Sequence, residues 1–201
     1  MVHEGKIPSP KQALERAITL LKLHQKMKQK PEMRARLPIG WEKPSPGVLK
    51  LNVDGAIFND QQGAGVGIIL RDAVGEVLLA VSKKGHAVND PPDVELLAML
   101  RGLQLCIPLG IEELILESDS LLMITQLQEK EESWSLLGNI IKETKLLMAR
   151  FYCCTIQHVG CKGNEAAHSL ARYAWHIDDI SILWESFPKV IQQIVWVDKF
   201  L

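Results

Sequence analysis

The spacing of apolar positions changes twice along the chain, and each change marks a boundary. Over residues 10–30 the apolar residues recur at helical intervals. Leu14, Ile18 and Leu21 form one stripe, with Leu20 and Met27 beside it. That spacing predicts a helix. Lys22, Lys26, Lys28 and Lys30 crowd its end, which suits either a phosphate-touching arm or a helix packed on the body. Leu37–Gly47 then holds three prolines and two glycines and breaks any period, as a linker or an extended entry into a core does.

From Val48 the period becomes two. Leu49, Leu51 and Val53 fall on one face and Lys50, Asn52 and Asp54 on the other, predicting a strand over Val48–Ile57. Gly63–Arg71 reads as a second strand. Glu76–Lys83 reads as a third, after the turn Asp72-Ala73-Val74-Gly75. Short turns between the three predict an antiparallel meander. Pro91 and Pro92 open a helix to about Ile107, with Leu96, Met99, Leu100 and Leu103 on its buried face. A short apolar strand over Glu113–Glu117 follows, then helical stretches over Ser120–Gln128 and Trp134–Ala149. A strand over Phe151–His158 and a helix over Glu165–Ala174 complete the pattern. The order βββαβαβα predicts an α/β domain: a mixed five-stranded sheet with helices on its faces. The expected organisation is a basic helix and linker over 1–40, a core over 41–175 and an apolar extension over 176–201. Ile182, Leu183, Trp184, Phe187, Val190, Ile191, Ile194 and Trp196 make that extension too apolar for a free tail. It is expected to pack as a short helix on the body or to contact another subunit.

Hydrophobic residues are 47% of the 201 and charged residues 23%, which excludes a disordered chain. Net charge is −1 but unevenly placed. Residues 1–36 hold nine Lys/Arg against three Asp/Glu, net +6, and the rest holds 14 against 21, net −7. A basic arm thus precedes an acidic body, which is not a generic nucleic-acid surface. Cys106, Cys153, Cys154 and Cys161 fit no paired zinc spacing and read as reduced thiols. No apolar run is long enough to span a bilayer, and no signal-peptide core is visible. The expectation is an intracellular protein of nucleus or cytoplasm, with an organelle left open. Gly63, Gly65 and Gly67 fit neither a dinucleotide fingerprint nor a P-loop, because the spacing differs and the run enters a strand. Close approach by substrate or by a neighbouring strand accounts for them better.

Three acids fall at element ends. Asp54 lies on the first strand, Glu95 one turn into the first core helix, and Asp119 just after the fourth strand, the usual edge for a site in an α/β sheet. Each has an ordinary alternative: a turn at Asp54-Gly55, a helix-dipole acid at Glu95, an N-cap at Asp119. If the three converge, mutual repulsion calls for a hard divalent cation, and magnesium suits a cluster that also receives phosphate.

The stretches Lys50-Leu-Asn-Val-Asp-Gly-Ala, the Gly-rich second strand, the Glu95 helix, Leu116-Glu-Ser-Asp-Ser120 and His158-Val-Gly…Gly163-Asn-Glu-Ala-Ala-His-Ser-Leu-Ala-Arg172 resemble, in order and spacing, the ribonuclease H family. The nearest resemblance is to the RNase H-like domains of plant genomes, often derived from retrotransposons, whose lead-in Trp41…Pro44…Pro46-Gly47 also echoes. The likeness covers roughly residues 41–175. It implies an RNase H-like fold and a two-metal endonuclease that hydrolyses the RNA strand of RNA/DNA hybrids, as a monomer. Two ions about 4 Å apart clamp the attacking and leaving oxygens of such a displacement. Asp54 would bridge both ions, Glu95 and Asp119 would complete the site, and His158 would assist proton movement or product release. Gly55, Ser120 and Asn164 would touch substrate. The implied cofactor is a pair of magnesium ions, with manganese as the alternative. One departure bears on this: the family's fourth carboxylate is His168 here. Neutral imidazole ligates magnesium poorly and manganese or softer ions better. A second departure is Leu121, where a groove-contacting polar residue stands in bacterial members. The competing expectations are a catalytically impaired nucleic-acid-binding domain of retroelement origin and a protein-interaction module.

Overall fold

The computed structural model describes residues 40–58, 63–86, 90–129 and 136–200. The helix expected over 10–30 lies outside them. The expected meander is present: β1 (Leu49–Phe58), β2 (Gly63–Arg71) and β3 (Val77–His86) pair antiparallel in sequence order. The turn after β2 is held by Asp72, whose Oδ1 accepts from the Val74 and Glu76 amides, with Gly75 at φ 82°. Helix α1 (Pro91–Cys106) leads to β4 (Glu113–Ser118), which joins β1 in parallel. After α2 (Leu121–Gln128) and α3 (Leu136–Met148), β5 (Cys153–His158) adds to β4 in parallel. Helix α4 (Glu165–Tyr173) follows.

The sheet has six strands in the order β5-β4-β1-β2-β3-β6, one more than the sequence pattern predicts. The sixth, β6 (Ile180–Trp184), comes from the C-terminal extension and pairs antiparallel with β3. It was hidden in the sequence because five residues in an evenly apolar stretch show little alternation. The extension therefore begins as a strand, and only then forms the expected short helix, α5 (Gln192–Phe200).

The two faces of the sheet carry separate cores. Leu51, Val53, Ile68, Leu70, Leu79 and Val81 face α1, where Leu96, Met99 and Leu103 are fully buried. Truncating such a leucine to alanine removes about 2–5 kcal/mol. On the other face Ile69, Val77 and Ala80 meet Ala166, Ala167 and Leu170 of α4, with Ile191 and Val195 from the extension. Helix α4 lies unusually close to β2. A Cβ on Gly67 would sit 2.0 Å from the Ala167 carbonyl oxygen and 2.3 Å from the Ala171 nitrogen. On Gly65 it would sit 2.2 Å from the Ala171 oxygen. The glycines thus make room for a helix backbone, and neither substrate nor a neighbouring strand is the reason for them. Because β1 is covered on both faces, its polar positions Lys50, Asn52 and Asp54 are as buried as its apolar ones. Among the described residues no helix is long and apolar enough to cross a membrane.

Candidate metal centre

Three separate elements deliver the predicted acids to one place. Asp54 sits on central strand β1, 2% exposed, on the side covered by α4. Glu95 arrives one turn into α1, whose start seats directly against Gly55. A Cβ there would lie 2.7 Å from Val94 Cγ1, 2.8 Å from the Val94 carbonyl carbon and 2.9 Å from the Glu95 nitrogen. Gly55 also gives Glu95 a backbone hydrogen bond. Asp119 follows β4, which runs parallel beside β1. The helix cap behind it is Ser120, so Asp119 is not spent on capping. One carboxylate oxygen from each of Asp54, Glu95 and Asp119 lies within 4.8 Å of the other two.

The electrostatics show what such a cluster needs. Burial, then the Asp54 charge and a hydrogen bond with Asp54, push the Glu95 carboxyl up to about 9. Burial and Asp119 likewise raise Asp54, against the lowering effect of His168 and Glu95. Burial and the neighbouring negative charge both favour a proton on Glu95, and the hydrogen bond to Asp54 favours it further. Glu95 Oε2 is buried and has no hydrogen-bond partner. An orphaned oxygen on a carboxylate grouped with two others fits a hard divalent cation, which would replace the proton and satisfy the oxygen.

His168, one turn into α4, places Nδ1 2.7 Å from Asp54 Oδ2, with its side chain 52% exposed. His158 ends β5 and donates from Nε2 to the Asp119 backbone carbonyl at 3.2 Å. Both histidines therefore stand at the rim of the acidic trio. Ser120 is half-buried beside Asp119, its amide held by Ser118 Oγ at 3.1 Å, and Leu121 is 39% exposed. Asn164 is placed differently from a surface contact. It is fully buried, donating from Nδ2 to the Val53 carbonyl at 3.0 Å and to Asp119 Oδ1 at 3.2 Å.

Sequence reasoning missed the polar residues behind the trio. Asn52 donates to Glu117 at 2.9 Å and to Asn164 Oδ1 at 3.3 Å. Glu117 pairs with Lys50 at 2.9 Å. Arg71 donates to Asn52 Oδ1 at 2.9 Å and to Asp198 Oδ2 of α5 at 2.6 Å, and stacks 3.7 Å above the Trp41 ring. The available signal was the polar face of β1 in a strand too central to be wet, and an arginine closing an apolar strand.

Residues 52–174 match the model of the family described as reverse transcriptase-like. No curated protein sequence matches the chain. Among solved structures, the RNase H1 of the halophilic archaeon Halobacterium salinarum superposes with a TM-score of 0.59 at 24% identity, over 64% of this chain and 98% of that one. The N-terminal RNase H domain of a Mycobacterium tuberculosis protein gives 0.56 at 23%, over 64% and 94%. An RNase H1 isolated from compost, crystallised with an RNA/DNA hybrid, gives 0.55 at 20%, over 63% and 95%. The shared sheet and flanking helices, with the family match across most of the core, establish that this chain belongs to the reverse transcriptase-like family and carries an RNase H-like domain.

Proposed function

We propose that the chain is a divalent-metal-dependent endonuclease that hydrolyses the RNA strand of RNA/DNA hybrids. The observation that carries this reading is the convergence of Asp54, Glu95 and Asp119, with oxygens within 4.8 Å, where the pairing of β1 with β4 stops. Fold alone assigns no activity, so the site must carry the argument. Its neighbours in structure are RNase H enzymes, one of them solved with an RNA/DNA hybrid, which supports the choice of substrate class.

Asp54, Glu95 and Asp119 would hold the metal, and Asp54, at the centre of the trio, would be shared if two ions bind. The bound cations would supply a lowered water pKa and charge stabilisation for the departing oxygen. The chain's own groups do the rest. Asn164 keeps a donor on Asp119 Oδ1 and so restricts the rotation of that carboxylate. His158, half-exposed and tethered to the Asp119 backbone, is placed to hold or move a proton at the rim. His168 gives Asp54 an imidazole partner in place of a fourth carboxylate, which lowers the negative charge of the site and favours manganese over magnesium. Recognition of paired RNA would use the ribose 2′-OH and groove shape.

The test is cleavage of a labelled RNA/DNA hybrid by the purified full chain with magnesium or manganese. Cutting is expected, faster with manganese. Asp54→Asn should abolish it with the circular dichroism spectrum unchanged. Cleavage that survives Asp54→Asn, or hybrid binding without any cutting in either metal, would overturn the assignment.

A further inference from the structure

The polar residues behind the carboxylates form one continuous buried path, and its far end lies outside the family-matched segment. It starts at Asp198 on α5, in the C-terminal extension, and passes to Arg71 on β2 (2.6 Å), Asn52 on β1 (2.9 Å), Asn164 ahead of α4 (3.3 Å) and Asp119 after β4 (3.2 Å). Arg71, Asn52 and Asn164 are fully buried and Asp198 is 6% exposed. We propose that Arg71, clamped by Asp198, is a positioning residue for the metal-binding carboxylate Asp119, acting through the Asn52–Asn164 pair; this rests on the metal-site reading above.

The argument is one of donor and acceptor direction. A guanidinium only donates, so the Asn52 oxygen must face Arg71. The Asn52 amide nitrogen then faces the other way, where its two hydrogens meet Glu117 Oε2 and Asn164 Oδ1. That acceptor role fixes Asn164 in turn: its oxygen faces Asn52, and its nitrogen presents one hydrogen to the Val53 carbonyl and one to Asp119. Each asparagine has a single orientation that satisfies its neighbours. Flipping either amide would set oxygen against oxygen in a buried site, which costs far more than an exposed mismatch. Arg71 thus sets the polarity of the path. Asp198 and the Trp41 ring, 3.7 Å away, hold Arg71 in place, and Glu117 is held by Lys50. The result is an N–H always directed at Asp119 Oδ1. The extension, which adds β6 and α5 to the core, is by this route part of the support of the site.

The experiment is a double-mutant cycle on manganese affinity, read by calorimetric titration of Mn2+ alone into metal-stripped full-length protein. The variants are Asp198→Asn, Asn164→Ala and both together. Wild type is expected to bind. Asp198→Asn keeps the shape of the side chain and is expected to raise the Mn2+ Kd about fivefold. In the Asn164→Ala background the same change should have little further effect, because the path is already cut. A merely structural role would lower the melting temperature in EDTA and leave the Mn2+ Kd of the folded protein unchanged, which would overturn the proposal. Additive effects of the two changes would overturn it equally. If Asn164→Ala does not fold, Asn164→Ser, which keeps one donor, takes its place. Wild type that binds no Mn2+ would remove the metal-site reading itself, whereas wild-type binding with an unmoved Asp198→Asn removes only this inference.

Discussion

Glu95 offers a direct test of the charge balance, through the substitution Glu95→Gln. Its carboxyl is raised to about 9, first by burial and then by Asp54. The sign follows from linkage. A folded chain that keeps a proton which the unfolded chain releases loses stability as pH rises between the two pKa values. The window here runs from the ordinary 4.5 to about 9. One retained proton has a ceiling of about 1.4 kcal/mol per pH unit, so about 2.7 kcal/mol between pH 6 and pH 8. Glu95 is half-buried, and solvent reaching it reduces this to about 1–2 kcal/mol. For a chain of this length that is about 2–8 °C of melting temperature. Glutamine has nearly the same shape, stays neutral and still donates to Asp54. In EDTA, the melting temperature of Glu95→Gln should therefore stand above that of wild type by a margin that widens by several degrees from pH 6 to pH 8. At pH 8, manganese at about 100 times its Kd should restore about 2.7 kcal/mol to wild type and far less to the variant. Parallel melting-temperature curves for the two proteins between pH 6 and 8 would refute the reasoning, since the proton would then not be held at Glu95.

Two further outcomes follow from named contacts. Gly67→Ala would push a methyl into the Ala167 carbonyl oxygen, 2.0 Å away, and so lift α4 from the sheet. Overpacking of this kind costs about 1–3 kcal/mol or more, and because His168 rides on α4 and Asn164 caps it, hybrid cleavage should fall with the melting temperature; a variant as stable and active as wild type would contradict the packing described. His168→Asp should raise the magnesium-dependent rate relative to the manganese-dependent one, by adding an oxygen ligand beside Asp54. An unchanged metal ratio in the cleavage assay would show that position 168 stays outside the ion's reach.

Metal preference and proton retention are two sides of one quantity, the negative charge the site must dispose of. Asp54 is relieved in three ways: by the proton on Glu95, by the imidazole of His168 and by a cation when one binds. His168 is half-exposed, so it can leave Asp54 without breaking a packed core, whereas Glu95 cannot leave because α1 is seated on Gly55. On the proposed metal-site reading, metal entry would expel the Glu95 proton, and metal affinity should strengthen as pH rises. The same rise in pH weakens the metal-free protein, so pH moves metal affinity and metal-free stability in opposite directions.

Local periodicity and turn chemistry report what a residue's immediate neighbours impose, and the legible parts of this protein are of that kind. Strands β1 to β5 and the core helices show in the spacing of Leu51 and Val53 or of Leu96, Met99 and Leu103, since one apolar face must be covered wherever it occurs. Asp54, Glu95 and Asp119 could be singled out by the order and spacing of their motifs, and the fold brings the middle of β1, the second turn of α1 and the end of β4 together. The path from Asp198 to Asp119 has no such local mark. Arg71 and Asp198 are 127 residues apart, and Asn52 and Asn164 are 112 apart. Nothing in the spacing around any one of them names its partner. The polar face of β1 invites the reading of a solvated edge, and only the closure of α4, α5 and the Trp41–Glu42 segment over the sheet turns Lys50, Asn52 and Arg71 into buried groups that must be paired. Position 164 shows the consequence. Its place in the His158–Arg172 stretch pointed to a substrate contact, yet the same asparagine, once enclosed, has every donor and acceptor committed to Val53, Asp119 and Asn52. Sequence can nominate a group for chemistry, but whether that group faces the ligand or holds the residue that does is decided by which surfaces the tertiary fold closes over it.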